Sequence, residues 1–167
     1  MTMRAGELVE ILDKYLLGWA FRDIERASKG EAKLGAFILG ACFIDAMAGF
    51  FKGIDREEAK RNSGSRFKDF VEKYLPQYEP ERLWEDLRCG LVHSYAEGGS
   101  YEFIHSKNQF HLTNSSRGKI ILNLEDFLED LKKAYNKLRV DILTNKDIFD
   151  KAKKRYESMG LMGSVPI

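Results

Sequence analysis

The sequence predicts a mainly α fold, an up-and-down helical bundle with a small β-hairpin or three-strand insertion after the fourth helix. Three observations predict it. Apolar residues recur at three- and four-residue steps over most of the chain. One segment, residues 34–51, is apolar nearly all round, as a helix at the centre of a bundle is. Beyond Gly98 and Gly99 the spacing shortens to strand-like alternation before helical spacing resumes.

The first helix is expected over residues 4–27, where Leu8, Ile11, Leu12, Tyr15, Leu16 and Trp19 form one stripe, with Ser28-Lys29-Gly30 as the break. The second, over 31–52, carries Phe37, Ile38, Phe43, Ile44, Met47, Phe50 and Phe51. Gly35, Gly40 and several alanines give it small faces for close packing. Residues 54–64 read as a charged connector. Ser65 is the expected N-cap of a third helix reaching Leu75, which Pro76 stops. Pro80 suits the first turn of a fourth helix, over 81–96, ended by Gly98-Gly99. Residues 101–106 and 109–113 read as strands around a Lys107-Asn108 turn, and 119–122 as a third strand. A long helix then starts at or just after Asn123, with Phe127, Leu128, Leu131, Tyr135, Leu138 and Ile142 in register. A short charged helix over 146–158 and a loose tail over about 159–167 complete a single domain spanning 1–167.

With 167 residues, 44% of them apolar and 32% charged, the chain is long enough to bury a core without metal or disulfides. Its net charge of +1 supplies no global field, so a nucleic-acid partner would need a local basic patch. Cys42 and Cys89 lack metal-ligand spacing, and a reducing cytoplasm is the expected location. The N-terminal residues lack a signal-peptide profile. Residues 34–51 match a membrane span in length, but Asp45 inside them favours a buried core helix and no membrane.

Chemistry concentrates in Leu83-Trp-Glu-Asp-Leu-Arg-Cys-Gly-Leu-Val-His-Ser-Tyr95. Arg88 can grip a phosphate with a planar fork of donors, and His93 can take or give a proton near neutral pH. On an ideal helix five residues turn through about 500°, which leaves the two about 140° apart. A two-fold dimer would bring a second Arg and His to the same cleft. The bland reading makes Arg88 a structural partner of Glu85 or Asp86, and His93 a polar residue favourable to the helix dipole.

Arg88, four intervening residues, then His93, late in a helical bundle, resembles the signature of the HEPN superfamily. The resemblance covers about residues 4–145 and rests mainly on this motif. Cys89 stands where family members often carry Asn, Asp or His. The resemblance implies a metal-independent, cofactor-free endoribonuclease acting as a homodimer. His93 would be the general base on a ribose 2′-hydroxyl, or the acid toward the leaving oxygen. Arg88 would bind the scissile phosphate, and the product would be a 2′,3′-cyclic phosphate. A toxin with a cognate antitoxin protein, or another defence component, is the expected setting. The alternative is a non-catalytic HEPN-like module that binds RNA, a nucleotide or a protein partner.

Asp45 sits mid-helix among Phe43, Ile44, Ala46 and Met47, where a lone carboxylate is costly, so it needs a partner. Arg88 or His93 is the natural one; another base or a backbone donor is the structural alternative. Ser94 and Tyr95 follow the motif as supporting donors to a phosphate, although packing is the commoner role for such a tyrosine. A three-histidine metal centre of His93, His105 and His111 is disfavoured, since strand histidines are usually half-exposed and unliganded. Lys132, Lys133, Lys137, Arg139, Lys151, Lys153, Lys154 and Arg155 suggest a basic strip for RNA. They are interleaved with acids, so a solvated face is the default.

Overall fold

The computed structural model describes residues 3–55, 57–58, 61–94, 99–106 and 110–159. Six helices occupy most of them. Helix α1 runs without a break through Ala5–Leu12, Asp13–Phe21 and Arg22–Lys29, its middle segment wound as a π-helix. Helix α2 is Lys33–Lys52 and α3 is Ser63–Tyr74. Helix α4 is again continuous, Pro80–Arg82, Leu83–Leu91 and Val92–Ser94, and its middle is also π-helical. Helices α5, Leu124–Thr144, and α6, Lys146–Met159, follow a small sheet of β1, Tyr101–Ile104, and β2, Ile120–Asn123. The fold is therefore mainly α, a helical bundle with a small strand insertion after the fourth helix.

Helix α2 is the centre. Ala36, Phe37, Ala41, Ile44, Met47, Ala48 and Phe50 are buried, and the helix packs against α1, α3, α5 and α6. It is long and apolar enough to cross a bilayer by length and composition, but its apolar surface is largely occupied by its neighbours. Its small residues allow close approach. A Cβ on Gly40 would lie 2.6 Å from Phe127 Cε1, so α5 rests directly on the α2 backbone. Gly53 ends α2 in the left-handed region (φ +68°), and a Cβ there would meet the backbone of Lys151 on α6 at 2.8 Å.

Two boundaries move. Helix α3 starts at Ser63, with Asn62 as its N-cap in the left-handed region, so Ser65 lies inside the helix and is not the cap. Helix α4 is described to Ser94, and Gly98 of the expected Gly98-Gly99 stop lies outside the described residues. Gly99 (φ +70°) is pinned by Asp86, whose Oδ2 accepts the Ser100 N–H at 2.6 Å. A Cβ on Gly99 would collide with that carboxylate.

The strand insertion is a correction of topology. Strand β1 pairs in parallel with β2, Tyr101 opposite Ile120 and Ile104 opposite Asn123, where an antiparallel hairpin is expected. The expected turn, Lys107-Asn108, lies outside the described residues. The middle segment does reach β2 from the other side, through Leu112 N–H to Ile121 O and Ile121 N–H to Thr113 O, but it is not a strand. The reason is local. The Thr113 N–H and hydroxyl both bond the Phe110 carbonyl, and Leu112 takes a left-handed φ of 57°, which curls the chain. His111 completes the curl. Its Nδ1 accepts the Asn123 N–H at 3.1 Å, and its Nε2 lies 2.9 Å from the Tyr78 hydroxyl, which donates to Asp130 Oδ2 at 2.9 Å. An imidazole accepting at Nδ1 carries its proton on Nε2, so the network is directional. Phe37 packs on Phe103 with ring centroids 4.9 Å apart, seating the sheet on α2.

Candidate active site

Helix α4 holds Arg88 because Leu83, Leu87 and Leu91, at four-residue steps, are fully buried and fix its inner face. Trp84, one turn before Arg88, wedges against α3. It lies 5.3 Å from Phe67 between centroids, and its indole would sit 3.1 Å from a Cβ on Gly64. The Arg88 guanidinium lies 5.8 Å from the centroid of the Trp84 ring. Its Nε donates to Asp45 Oδ2 on α2 at 2.5 Å, a charge-assisted contact between side chains 22% and 16% exposed. Asp45 therefore finds its partner in Arg88, and Arg88 takes neither Glu85 nor Asp86.

The π-helical winding alters the expected geometry of the motif. A π turn holds about 4.4 residues against 3.6 for an α turn. Three of the five steps from Arg88 to His93 lie in the π segment, which holds more residues per turn than an α-helix, so ideal α geometry does not describe their spacing. Hydrogen bonding i→i+5 is a tertiary outcome that apolar spacing does not announce.

His93 is exposed, one residue before the last described residue of α4. No hydrogen bond joins it to Arg88 or Asp45 among the described residues. Ser94 is the last described residue of α4, and Tyr95 lies outside the described residues. The structure thus brings Asp45 and Arg88 into contact, and among the described residues His93 bonds to neither.

A residue that sequence reading missed joins the pair. Arg66, in the first turn of α3, places Nη2 at 3.9 Å from Asp45 Oδ1. Nothing in the local pattern around Arg66 marks it, because its neighbour lies 21 positions away. Cys42 and Cys89 flank the same cluster. Burial pushes both thiols up and outweighs the opposing pull of Arg88, so neither is primed as a nucleophile. For Arg88, burial lowers the guanidinium value, but the hydrogen bond and charge of Asp45 outweigh it and leave it raised; Arg88 is a permanent cation.

The other histidines are engaged elsewhere, His105 with Glu125 at 3.4 Å and His111 in the Tyr78–Asp130 network. Among the described residues no three His, Cys, Asp or Glu side chains group as a metal ion requires. The basic strip on α5 and α6 is mostly a lattice of ion pairs. Lys132 meets Glu25, Lys133 meets Glu129, Arg139 meets Asp13, Lys151 meets Asp147, Lys153 meets Glu157 and Lys154 meets Glu58.

No family model, curated protein or solved structure matches the chain.

Proposed function

We propose that the protein is a metal-independent endoribonuclease of the HEPN type, acting as a homodimer in the cytoplasm, with Arg88 and His93 as its catalytic residues. The observation that carries the reading is the hydrogen bond that Arg88 Nε donates to Asp45 Oδ2. A carboxylate on that nitrogen locks the guanidinium plane and leaves the terminal-nitrogen edge to meet a phosphate bidentately. Asp45 is then a positioning residue, acting through Arg88. His93, exposed on the same helix, is the group to deprotonate a ribose 2′-hydroxyl. The 2′-oxygen attacks the adjacent phosphorus, the bond from phosphorus to the 5′-oxygen of the next nucleotide breaks, that oxygen leaves with the proton returned by the imidazolium of His93, and a 2′,3′-cyclic phosphate results. Arg88 would stabilise the added charge on the phosphoryl oxygens. Ser94 and Tyr95 are candidate supporting donors, RNA is the substrate class, and the setting is that of a toxin held by an antitoxin protein or another defence component.

The same bond favours a second reading. An arginine already held by a carboxylate is a stable structural element, which suits a non-catalytic module that binds RNA, a nucleotide or a protein partner. Incubation of purified protein with mixed RNA in chelator separates the two. The nuclease reading expects 2′,3′-cyclic phosphate ends and a rate loss of about 10²–10⁴-fold in His93→Ala, with a comparable loss in Arg88→Ala. Intact RNA that remains bound would replace the nuclease with the module.

A further inference from the structure

Leu39, Cys42, Ala46, Gly49 and Gly53 fall on one stripe of α2, at alternating steps of three and four. Helix α6 covers only the last two. A Cβ on Gly53 would meet Lys151 Cα at 2.8 Å, and one on Gly49 would meet Arg155 Nε at 3.0 Å. Four residues forward along α6 thus answer four residues back along α2, and the two helices run antiparallel. Met159, the last described residue of α6, comes level with the turn of α2 that holds Asp45 and Ala46. Beyond that level the described residues leave the stripe open. Gly49 and Gly53 are buried, whereas Cys42 and Leu39 are exposed. The open part is one wall of a groove, lined by Leu39, Cys42 and Ala46 from α2 and by Tyr15, Ala20 and Asp23 from α1. Tyr15 marks the end of the groove nearest α6, being close enough to Arg155 to act on its charge.

Residues 160–167 follow α6 directly and lie outside the described residues. Their sequence, Gly-Leu-Met-Gly-Ser-Val-Pro-Ile, differs in kind from the mostly charged helix before it. It carries no charged side chain and supplies Leu161, Met162, Val165 and Ile167. An apolar segment that begins beside a mainly apolar groove removes both surfaces from water by entering it. Reach is not limiting. From Ala46 to Leu39 the axis of α2 rises about 10 Å, and eight residues can span up to about 26 Å. Asp23 is the one charged side chain lining the groove, and it would meet no like charge in the segment. We propose that residues 160–167 occupy the groove between α1 and α2, with Leu161, Met162 and Val165 covering the Leu39–Cys42–Ala46 stripe where α6 leaves it. The proposal goes beyond the nuclease reading and does not rest on it.

Cys42 reports on the groove, because a seated segment covers its thiol. The measurement is the rate of alkylation by iodoacetamide, read by intact mass. The protein is the full chain carrying Cys89→Ser, so that only Cys42 reacts. A segment seated about nine-tenths of the time leaves the thiol open for about one-tenth, so its release should speed alkylation about tenfold. Leu161→Ser, Met162→Ser and Val165→Ser together remove the apolar contacts without adding charge, and are expected to give that acceleration. Leu39→Ser, made from the groove side, should accelerate alkylation several-fold. Leu39 is already exposed, so folding does not depend on it and this variant carries the test alone if the other fails to fold. All rates are taken below the onset of each variant's thermal melt. A rate equal to the parent's in either folded variant overturns the proposal. So does a parent rate that falls as protein concentration rises, which would put a second copy of the chain in the groove.

Discussion

Asp130 illustrates how much one side chain can hold at the residue scale. Burial pushes its carboxyl up, but hydrogen bonds from His111, Gln77 and Tyr78 outweigh that and leave it below the usual carboxylate range. A depressed folded value means that the ionised carboxylate stabilises the fold. That contribution is complete above the unfolded value of about 3.9 and is lost as pH falls through the lower folded one. Asp130→Asn is therefore expected to be less stable than the unsubstituted chain at pH 7. The difference should shrink below about pH 4, and urea titrations at pH 7, 4 and 3 would show it. A constant difference across that range would mean that packing, and not charge, fixes the network. The same residue-scale view separates the histidines. His111 is locked between Asn123 and Tyr78, His105 leans on Glu125, and His93 is exposed on the helix that carries Arg88.

Helix crossing decides the element scale, and Gly40 is where α2 and α5 come closest. Replacing a helical glycine by alanine favours the helix by up to about 1 kcal/mol. Against that, the new methyl would stand 2.6 Å from Phe127 Cε1 and 3.3 Å from Leu131 Cδ1, both on fully buried side chains with nowhere to swing. Overpacking of this kind costs about 1–3 kcal/mol, so the clash wins. Gly40→Ala should lower the urea midpoint with an unchanged slope of unfolding, whereas a stabilised variant would mean that α5 slides freely on α2. The π segments belong to this scale as well. The one in α4 re-aims Arg88 relative to His93, and the one in α1 begins at Asp13, which accepts from the Tyr135 hydroxyl and from Arg139 Nε on α5.

Charge is balanced across the whole molecule, with 27 basic and 26 acidic side chains, and most cations of α5 and α6 lie against an acid. Exposed pairs of this kind contribute about 0–1 kcal/mol each and present little net field. On the proposed nuclease reading, RNA is therefore expected to be held mainly at Arg88, with a log–log slope of affinity against salt of about −0.7 for one phosphate contact on a single strand, measurable by anisotropy of a labelled RNA with the His93→Ala protein. A slope several times steeper would move the interface to the lysine-rich faces of α5 and α6.

Apolar periodicity alone determined the helices, because the face that must be buried repeats every three or four residues whatever it is buried against. Leu8 to Leu16, Phe37 to Phe50 and Phe127 to Ile142 are legible as core stripes for that reason, and the same logic requires a partner for Asp45. Strand pairing was not legible, since alternation shows that a segment is extended and not which neighbour it meets; the His111 knot and the left-handed Leu112 made β1 a parallel partner of β2. At the candidate site, Arg88 and His93 were visible because they share one helix. Arg66 was not, because only packing of α2, α3 and α4 brings side chains from three distant stretches around one carboxylate.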